Sequence, residues 1–280
     1  MSTPAADQFG RPPAADPEPL PAAAFDSHCH LDLVPGPVGA VLARAAAANI
    51  TRVITVGTDL PSAYSAVTTA ADHDQVYAAV AIHPNETQSA APSVKQKEAV
   101  LDEIASLAAA PQVRAVGETG LDYYWHDAPH DVQQDWFRAH IAMAKRAGKP
   151  LMIHDRDAHE DILRILAEEG SPERVIFHCF SGDADLAKRC TDAGYVLSFA
   201  GTLTFANAPQ LREAAAVAPA GQLLVETDAP FLTPVPNRGR SNSPAQVAHT
   251  LRALAAVKQL DVAELCAIIE ATGQRLFGPW

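Results

Sequence analysis

Residues 150–178, PLMIHDRDAHEDILRILAEEGSPERVIFH, read as a strand, a helix and a second strand. Pro150–His154 and Arg174–His178 are short apolar runs of the kind that form buried strands, and each ends in a histidine. Between them, Ala158–Glu169 repeats apolar residues at helical spacing, and Gly170 stands where a helix C-cap belongs. Two strands joined through a helix form the repeating unit of a parallel sheet.

The same alternation continues in both directions. Further strands are expected at 23–27, 52–56, 76–82, 113–118, 195–199 and 222–226, making eight with the two above. Helices are expected at 38–48, 61–72, 93–109, 131–147, 184–193 and 208–217, with Gly148 as another C-cap. Two closing helices follow at 243–257 and 261–269, the first opened by Ser243 as N-cap and Pro244 in the first turn. Eight such units predict an α/β fold, a single-domain (β/α)8 TIM-type barrel over residues 22–280, a length usual for that architecture. An open doubly wound sheet would carry a glycine-rich phosphate turn after its first strand. Here that junction is HCHLD, residues 28–32. Residues 1–21, with Pro12, Pro13, Pro17, Pro19 and Pro21, read as a disordered tail.

Composition narrows the function. A formal net charge of -12 argues against a broad basic surface that would hold nucleic acid without regard to sequence, so an anionic substrate must be attracted locally. No apolar run reaches the roughly 18 residues of a membrane span, and no basic segment followed by an apolar one marks secretion. Cys29, Cys179, Cys190 and Cys266 are scattered without a CxxC spacing, as expected of reduced thiols in a cytoplasmic protein. A monomer is the plain expectation.

The chemistry gathers at strand ends. His28 and His30, at i and i+2 on extended backbone, point the same way and reach one metal ion. Glu118 follows the fourth strand between Gly117 and Gly120, which permit close backbone approach. His154 and His178 close the strands quoted above, and Asp228 follows the eighth strand, the neighbour of the first on barrel closure. Four imidazoles and two carboxylates suit two divalent ions with positions left for water and substrate, an arrangement fit for hydrolysis. Mg, Mn, Zn and Fe are all compatible with these donors. Asp228 or Glu226 is the expected proton acceptor. Cys29 and Cys179 alternate away from the ligand face, and His73, His126, His130, His140, His159 and His249, lacking a strand-end context, read mostly as surface residues.

The ordered series HCHLD (28–32), AIHP (81–84), GETGLDYY (117–124), IHDR (153–156), FHCFSG (177–182) and ETDAPFL (226–232) resembles the TatD family of metal-dependent deoxyribonucleases in the amidohydrolase superfamily. The resemblance spans essentially the whole chain after the tail. It implies a barrel that hydrolyses DNA phosphodiester bonds, with 3′–5′ exonuclease-like action. His28, His30 and Asp228 would hold a first ion, and Glu118 would bridge to a second held by His154 and His178. His83 and Glu226 would contact phosphate or the nucleophile. The loop after the eighth strand, residues 234–244, matches the family pattern at Arg238, Gly239, Asn242 and Pro244, and has Asn237 at its aromatic position. Arg156 and Arg238 would supply the local positive charge for DNA phosphates. Tyr123, Tyr124 and Trp125 would either stack on bases or pack. A hydrolase of small amides, lactones or esters is the alternative enzyme, although such relatives often bridge their metals with a modified lysine where this chain has Glu118. A non-catalytic scaffold stabilised by metal is the alternative of another class.

Overall fold

The computed structural model describes residues 6–90 and 93–279. Among the described residues, eight strands join one sheet in sequence order: β1 Ala24–Cys29, β2 Ile50–Gly57, β3 Val76–Val80, β4 Val113–Asp122, β5 Leu151–Arg156, β6 Val175–Phe177, β7 Val196–Phe199 and β8 Leu223–Val225. The helices between and after them are α1 Val38–Ala47, α2 Leu60–Asp72, α3 Thr87–Ala90, α4 Val94–Ala108, α5 His130–Ala147, α6 His159–Glu169, α7 Ala184–Asp192, α8 Pro209–Val217, α9 Val247–Lys258 and α10 Val262–Phe277. Beyond β8, a parallel bridge between Cys29 and Ala229 ties the end of the series back to β1. The fold is a (β/α)8 TIM-type barrel. No helix among the described residues is long and apolar enough to cross a membrane.

The chain divides into two compact units: the residues up to Ile54 with Gly182–Arg275, and Thr55–Ser181 with Leu276–Gly278. In the second, Leu151, Met152 and Ile153 lie in parallel register with Val175, Ile176 and Phe177, all six buried. Uninterrupted apolar runs suit a sheet covered on both faces. The α2 helix starts with a reciprocal cap, Ser62 N–H on the Asp59 carboxylate (2.8 Å) and Asp59 N–H on the Ser62 hydroxyl (3.0 Å). The α5 helix ends at Gly148 in the left-handed conformation (φ 60°), which lacks steric cost for glycine. The β4 strand runs on to Asp122, past the expected end at Glu118, with a register shift against β5 between Val116 and Thr119. Such irregularities re-aim side chains beside functional sites, and this one carries Glu118.

In the first unit, β7 and β8 pair Leu197 with Leu223 and Phe199 with Val225. Ser243 opens a short 3-10 turn, Pro244–Gln246, before α9 starts at Val247. The α10 helix, which ends at Phe277, runs past the expected end at Ile269, and its later residues Thr272, Leu276 and Phe277 are buried.

The expected disordered tail is corrected for residues 6–21; residues 1–5 lie outside the described residues. Ala14 N–H donates to Ser241 O (3.1 Å), Ser241 N–H to Pro12 O (2.8 Å) and Leu20 N–H to Ala48 O (3.1 Å), while Arg252 reaches the carbonyls of Glu18 and Pro19. The prolines remove donors but leave their carbonyls, and a fixed φ lowers the entropy lost when an extended strap is ordered. Leu20→Ala is therefore expected to cost about 2–5 kcal/mol of unfolding free energy in a denaturant titration, because the side chain is buried. A loss below about 0.5 kcal/mol, the usual effect at a surface position, would show that the strap is not held.

Candidate metal centre

The first cluster lies in one unit, at the end of β1 and just after β8. The Nε2 atoms of His28 and His30 are 3.4 Å apart, and Asp228 Oδ1 lies 3.8 and 3.5 Å from them. The i, i+2 spacing thus brings both rings to one point, as their shared strand face requires. Asp228 has φ 53°, the left-handed region, which costs a non-glycine residue roughly 1 kcal/mol or more. Its N–H on His28 O (2.9 Å) and its carbonyl under Phe231 N–H (2.8 Å) hold it there. Beneath the cluster, buried Asp26 accepts from the amides of Thr227 (2.8 Å) and His28 (3.3 Å) and from the Thr227 hydroxyl. Burial pushes the Asp26 carboxyl well above the ordinary carboxylate range, and the Thr227 hydrogen bonds only partly offset this. Glu226 is buried beside this layer, its N–H on Phe199 O (3.1 Å).

The second cluster lies in the other unit and converges on Glu118 Oε1. His154 Nδ1 is 2.7 Å from that oxygen, His178 Nε2 2.8 Å and His83 Nε2 3.5 Å, with His178 Nε2 3.5 Å from His154 Nδ1. His83, Glu118 and His154 offer donor atoms close enough together to hold an ion. Burial alone would raise the Glu118 carboxyl, but the His178 and His83 imidazoles and the hydrogen bonds from His154 and His178 hold it well below its ordinary value.

Both donor sets fit a divalent ion. Donors about 2.0–2.1 Å from a tetrahedral ion stand about 3.3–3.4 Å apart, and around an octahedral ion of the same bond length about 2.8–3.0 Å. The first cluster's separations of 3.4–3.8 Å sit near the former, and the shortest in the second, 2.7 and 2.8 Å, near the latter. Cys29 is no ligand: its buried Sγ donates to Ile54 O (3.6 Å), and burial holds the thiol well above its usual pKa.

Two supporting residues were not singled out from sequence. Asp122 Oδ2 is 2.9 Å from His154 Nε2, while its Oδ1 accepts from the amides of Tyr124 and Trp125 (both 3.0 Å). Although burial opposes it, the hydrogen bond from His154, with the Trp125 amide, pulls its pKa down to about 2. Its even spacing from Glu118 along one strand was the signal that marks it. Asp122→Asn is expected to weaken ion binding at this cluster about 10–100-fold by calorimetric titration. An amide N–H facing Nε2 moves the imidazole proton to Nδ1, the atom an ion needs. Unchanged affinity would remove Asp122 from the centre.

The other is His140, grouped with the surface histidines by sequence and in fact fully buried on α5. Its Nε2 accepts from Ile82 N–H (3.3 Å), next to His83, so its Nδ1–H donates to the Thr119 hydroxyl (2.9 Å), next to Glu118. Burial lowers its pKa to about 3, keeping the ring neutral for this task.

The outer residues separate by role. Tyr123 packs, stacked on His130 (3.6 Å), donating to Asp161 (2.7 Å) and accepting from Gln134 (2.8 Å). Tyr124 and Trp125 are half exposed, and the Arg156 guanidinium lies 4.1 Å from the Tyr124 ring centre. Arg238 lies 4.0 Å over Phe205, so an aromatic partner comes from elsewhere in the chain although Asn237 occupies the family's aromatic position. Asn237 instead binds Gln246 Oε1 (2.9 Å) and Ala15 O (3.2 Å).

The model of the TatD related DNase family matches residues 25–278. A Mycobacterium tuberculosis protein named as an uncharacterized metal-dependent hydrolase, TatD, is 46% identical over 264 residues, covering 90% of this chain and 97% of its own. The Bacillus subtilis metal-dependent hydrolase YabD is 39% identical over 257 residues, covering 90% and 98%. Among solved structures, the TatD homolog YJJV of Escherichia coli superposes with a TM-score of 0.82 at 29% identity, over 92% of this chain and 98% of its own.

Proposed function

The chain belongs to the TatD related DNase family and is a metal-dependent hydrolase, and from that premise we propose that it is a deoxyribonuclease, cleaving DNA phosphodiester bonds from strand ends in the 3′–5′ direction. The observation that supports this most is Glu118, a carboxylate ringed by three imidazoles at the position on β4 where amide- and lactone-cleaving relatives often carry a modified lysine. In barrels of this class catalytic groups come from the C-terminal ends of several strands; His30, His83, His178 and Asp228 follow strand ends, and His28, Glu118 and His154 lie in the C-terminal halves of β1, β4 and β5. We assign one divalent ion, Mg, Mn or Zn, to each cluster. Bound there, such ions supply Lewis acidity: a more acidic water and an offset for charge gathering on phosphate oxygens.

The chain's own residues do the rest. Asp228, whose side chain is 16% exposed, takes the proton of the attacking water; Glu226, the other candidate acceptor, is wholly buried. His83 Nδ1 accepts from Asn85 N–H (3.1 Å), which leaves the proton of the neutral ring on Nε2, 3.5 Å from Glu118 Oε1, and from there it donates to a phosphate oxygen when substrate is bound. Burial lowers the His83 pKa and so favours that neutral form, against the pull of Glu118. Arg156 and Arg238, held on aromatic faces, pair with phosphates further along the strand.

The test is release of nucleotides from end-labelled single-stranded DNA by metal-stripped protein resupplied with Mg, Mn or Zn. Ion-dependent release from the 3′ end is the expected result. Intact DNA under all three ions, with turnover of a lactone, amide or ester, would transfer the same centre to small-molecule hydrolysis.

A further inference from the structure

We propose that the N-terminal strap builds a stacking subsite, Phe9 on Phe231, which takes a nucleobase of the substrate beside the first metal cluster. The proposal rests on the nuclease reading for the identity of its ligand. Its residues 7–11 lie outside the region matched to the family, residues 25–278.

Phe9 is 57% exposed, yet the turn that displays it is firmly built. The buried Asp7 carboxylate accepts from the amides of Phe9 (3.0 Å) and Arg11 (2.8 Å) and from Arg11 Nε (2.6 Å). Gly10, at φ 72°, closes the turn with its N–H on Asp7 O (2.9 Å), and Asp7 N–H returns to Arg11 O (3.1 Å). Arg11 ties the turn to the loop that carries Asp228, donating from Nη2 to Pro230 O (3.0 Å), while its guanidinium lies 4.8 Å from the Phe9 ring centre.

The ring so displayed stands in a row that ends at a metal-ligand candidate. Phe9 and Phe231 have centroids 6.1 Å apart at 56°, and Phe231 stands 6.2 Å from the His30 ring at 69°. An exposed phenyl gains little from burial, so holding it out on a turn fixed by a buried carboxylate is informative in a way that scattered surface apolar residues are not. The Arg11 charge is matched by Asp7 and its guanidinium lies over one face of the Phe9 ring, which leaves the other face as the group on offer. A planar ring attached to a phosphate at the first cluster is the ligand such a face suits, because every base has a π-face whatever its sequence.

The experiment measures binding, by fluorescence anisotropy with Mn present, of a short single-stranded phosphorothioate oligonucleotide and of the same backbone without bases. Wild type is expected to prefer the base-bearing strand about 5- to 150-fold, the equivalent of roughly 1–3 kcal/mol per stacked base. Phe9→Ala should weaken that strand toward the abasic level without changing affinity for the abasic one, and Phe9→Trp should restore the preference. Equal binding of the two strands by wild type, binding of neither, or a preference that survives Phe9→Ala overturns the subsite. Cleavage is scored separately on natural DNA. If DNA stays intact but the preference exists and needs Phe9, the subsite stands and the nuclease reading falls; cleavage without a Phe9-dependent preference gives the reverse.

Discussion

Replacing Asp228 by asparagine is expected to lower kcat about 10²–10⁴-fold with little change in stability. Those are the usual losses when a positioned proton acceptor is removed. The backbone should survive, because asparagine tolerates the left-handed region, and the N–H that binds His28 O is unchanged. What is lost is the negative charge within 3.5–3.8 Å of two imidazoles and the capacity to accept a proton. Single-turnover rates beside thermal melts separate the two effects. A variant that keeps its rate at saturating ion would move the proton acceptor elsewhere, with Glu226 the next carboxylate to test.

Gly120→Ala is expected to have the larger effect on structure. Gly120 lies in register with His154 at φ 145°, and a Cβ there would stand 2.0 Å from the His154 carbonyl oxygen. Backbone, not a flexible side chain, is in the way. The overlap should cost about 1–3 kcal/mol and the strained dihedral a similar amount, roughly 2–6 kcal/mol together. Pushing His154 off β4 also moves Nδ1 from Glu118, so ion binding at the second cluster should fail even in molecules that remain folded. A folded Gly120→Ala protein with full ion affinity would show that the two strands need not approach this closely. Gly117, whose added Cβ would lie 2.5 Å from Met152 Cβ, sets the same constraint on the other side of Glu118.

Strand positions and the candidate donor residues were legible in the sequence for one physical reason. Runs such as Val175–Phe177 are apolar throughout because both sheet faces are covered, so a polar residue after them marks a strand end. That logic singled out His28, His30, Glu118, His154, His178 and Asp228, and the separations above bring them together as two donor clusters, one within each unit. It failed where the signal was not strand-end polarity. Asp122 looked like loop because β4 continues past a register shift that sequence does not announce. His140 belongs to a helical stripe with Gln133, Trp136, Phe137, Ile141 and Ala144, and its polarity disguised its burial. The strap was missed because proline content was weighed as lost donors, while its carbonyls found partners in Ser241 and Arg252.

We assign one divalent ion to each of the two donor clusters. The direct measurement is the number of ions per chain after equilibrium dialysis against Mn, read by mass spectrometry for wild type, His30→Ala and His178→Ala. Two ions are expected in wild type and one in each variant, lost from different clusters. One ion in wild type, or two retained in both variants, would contradict it.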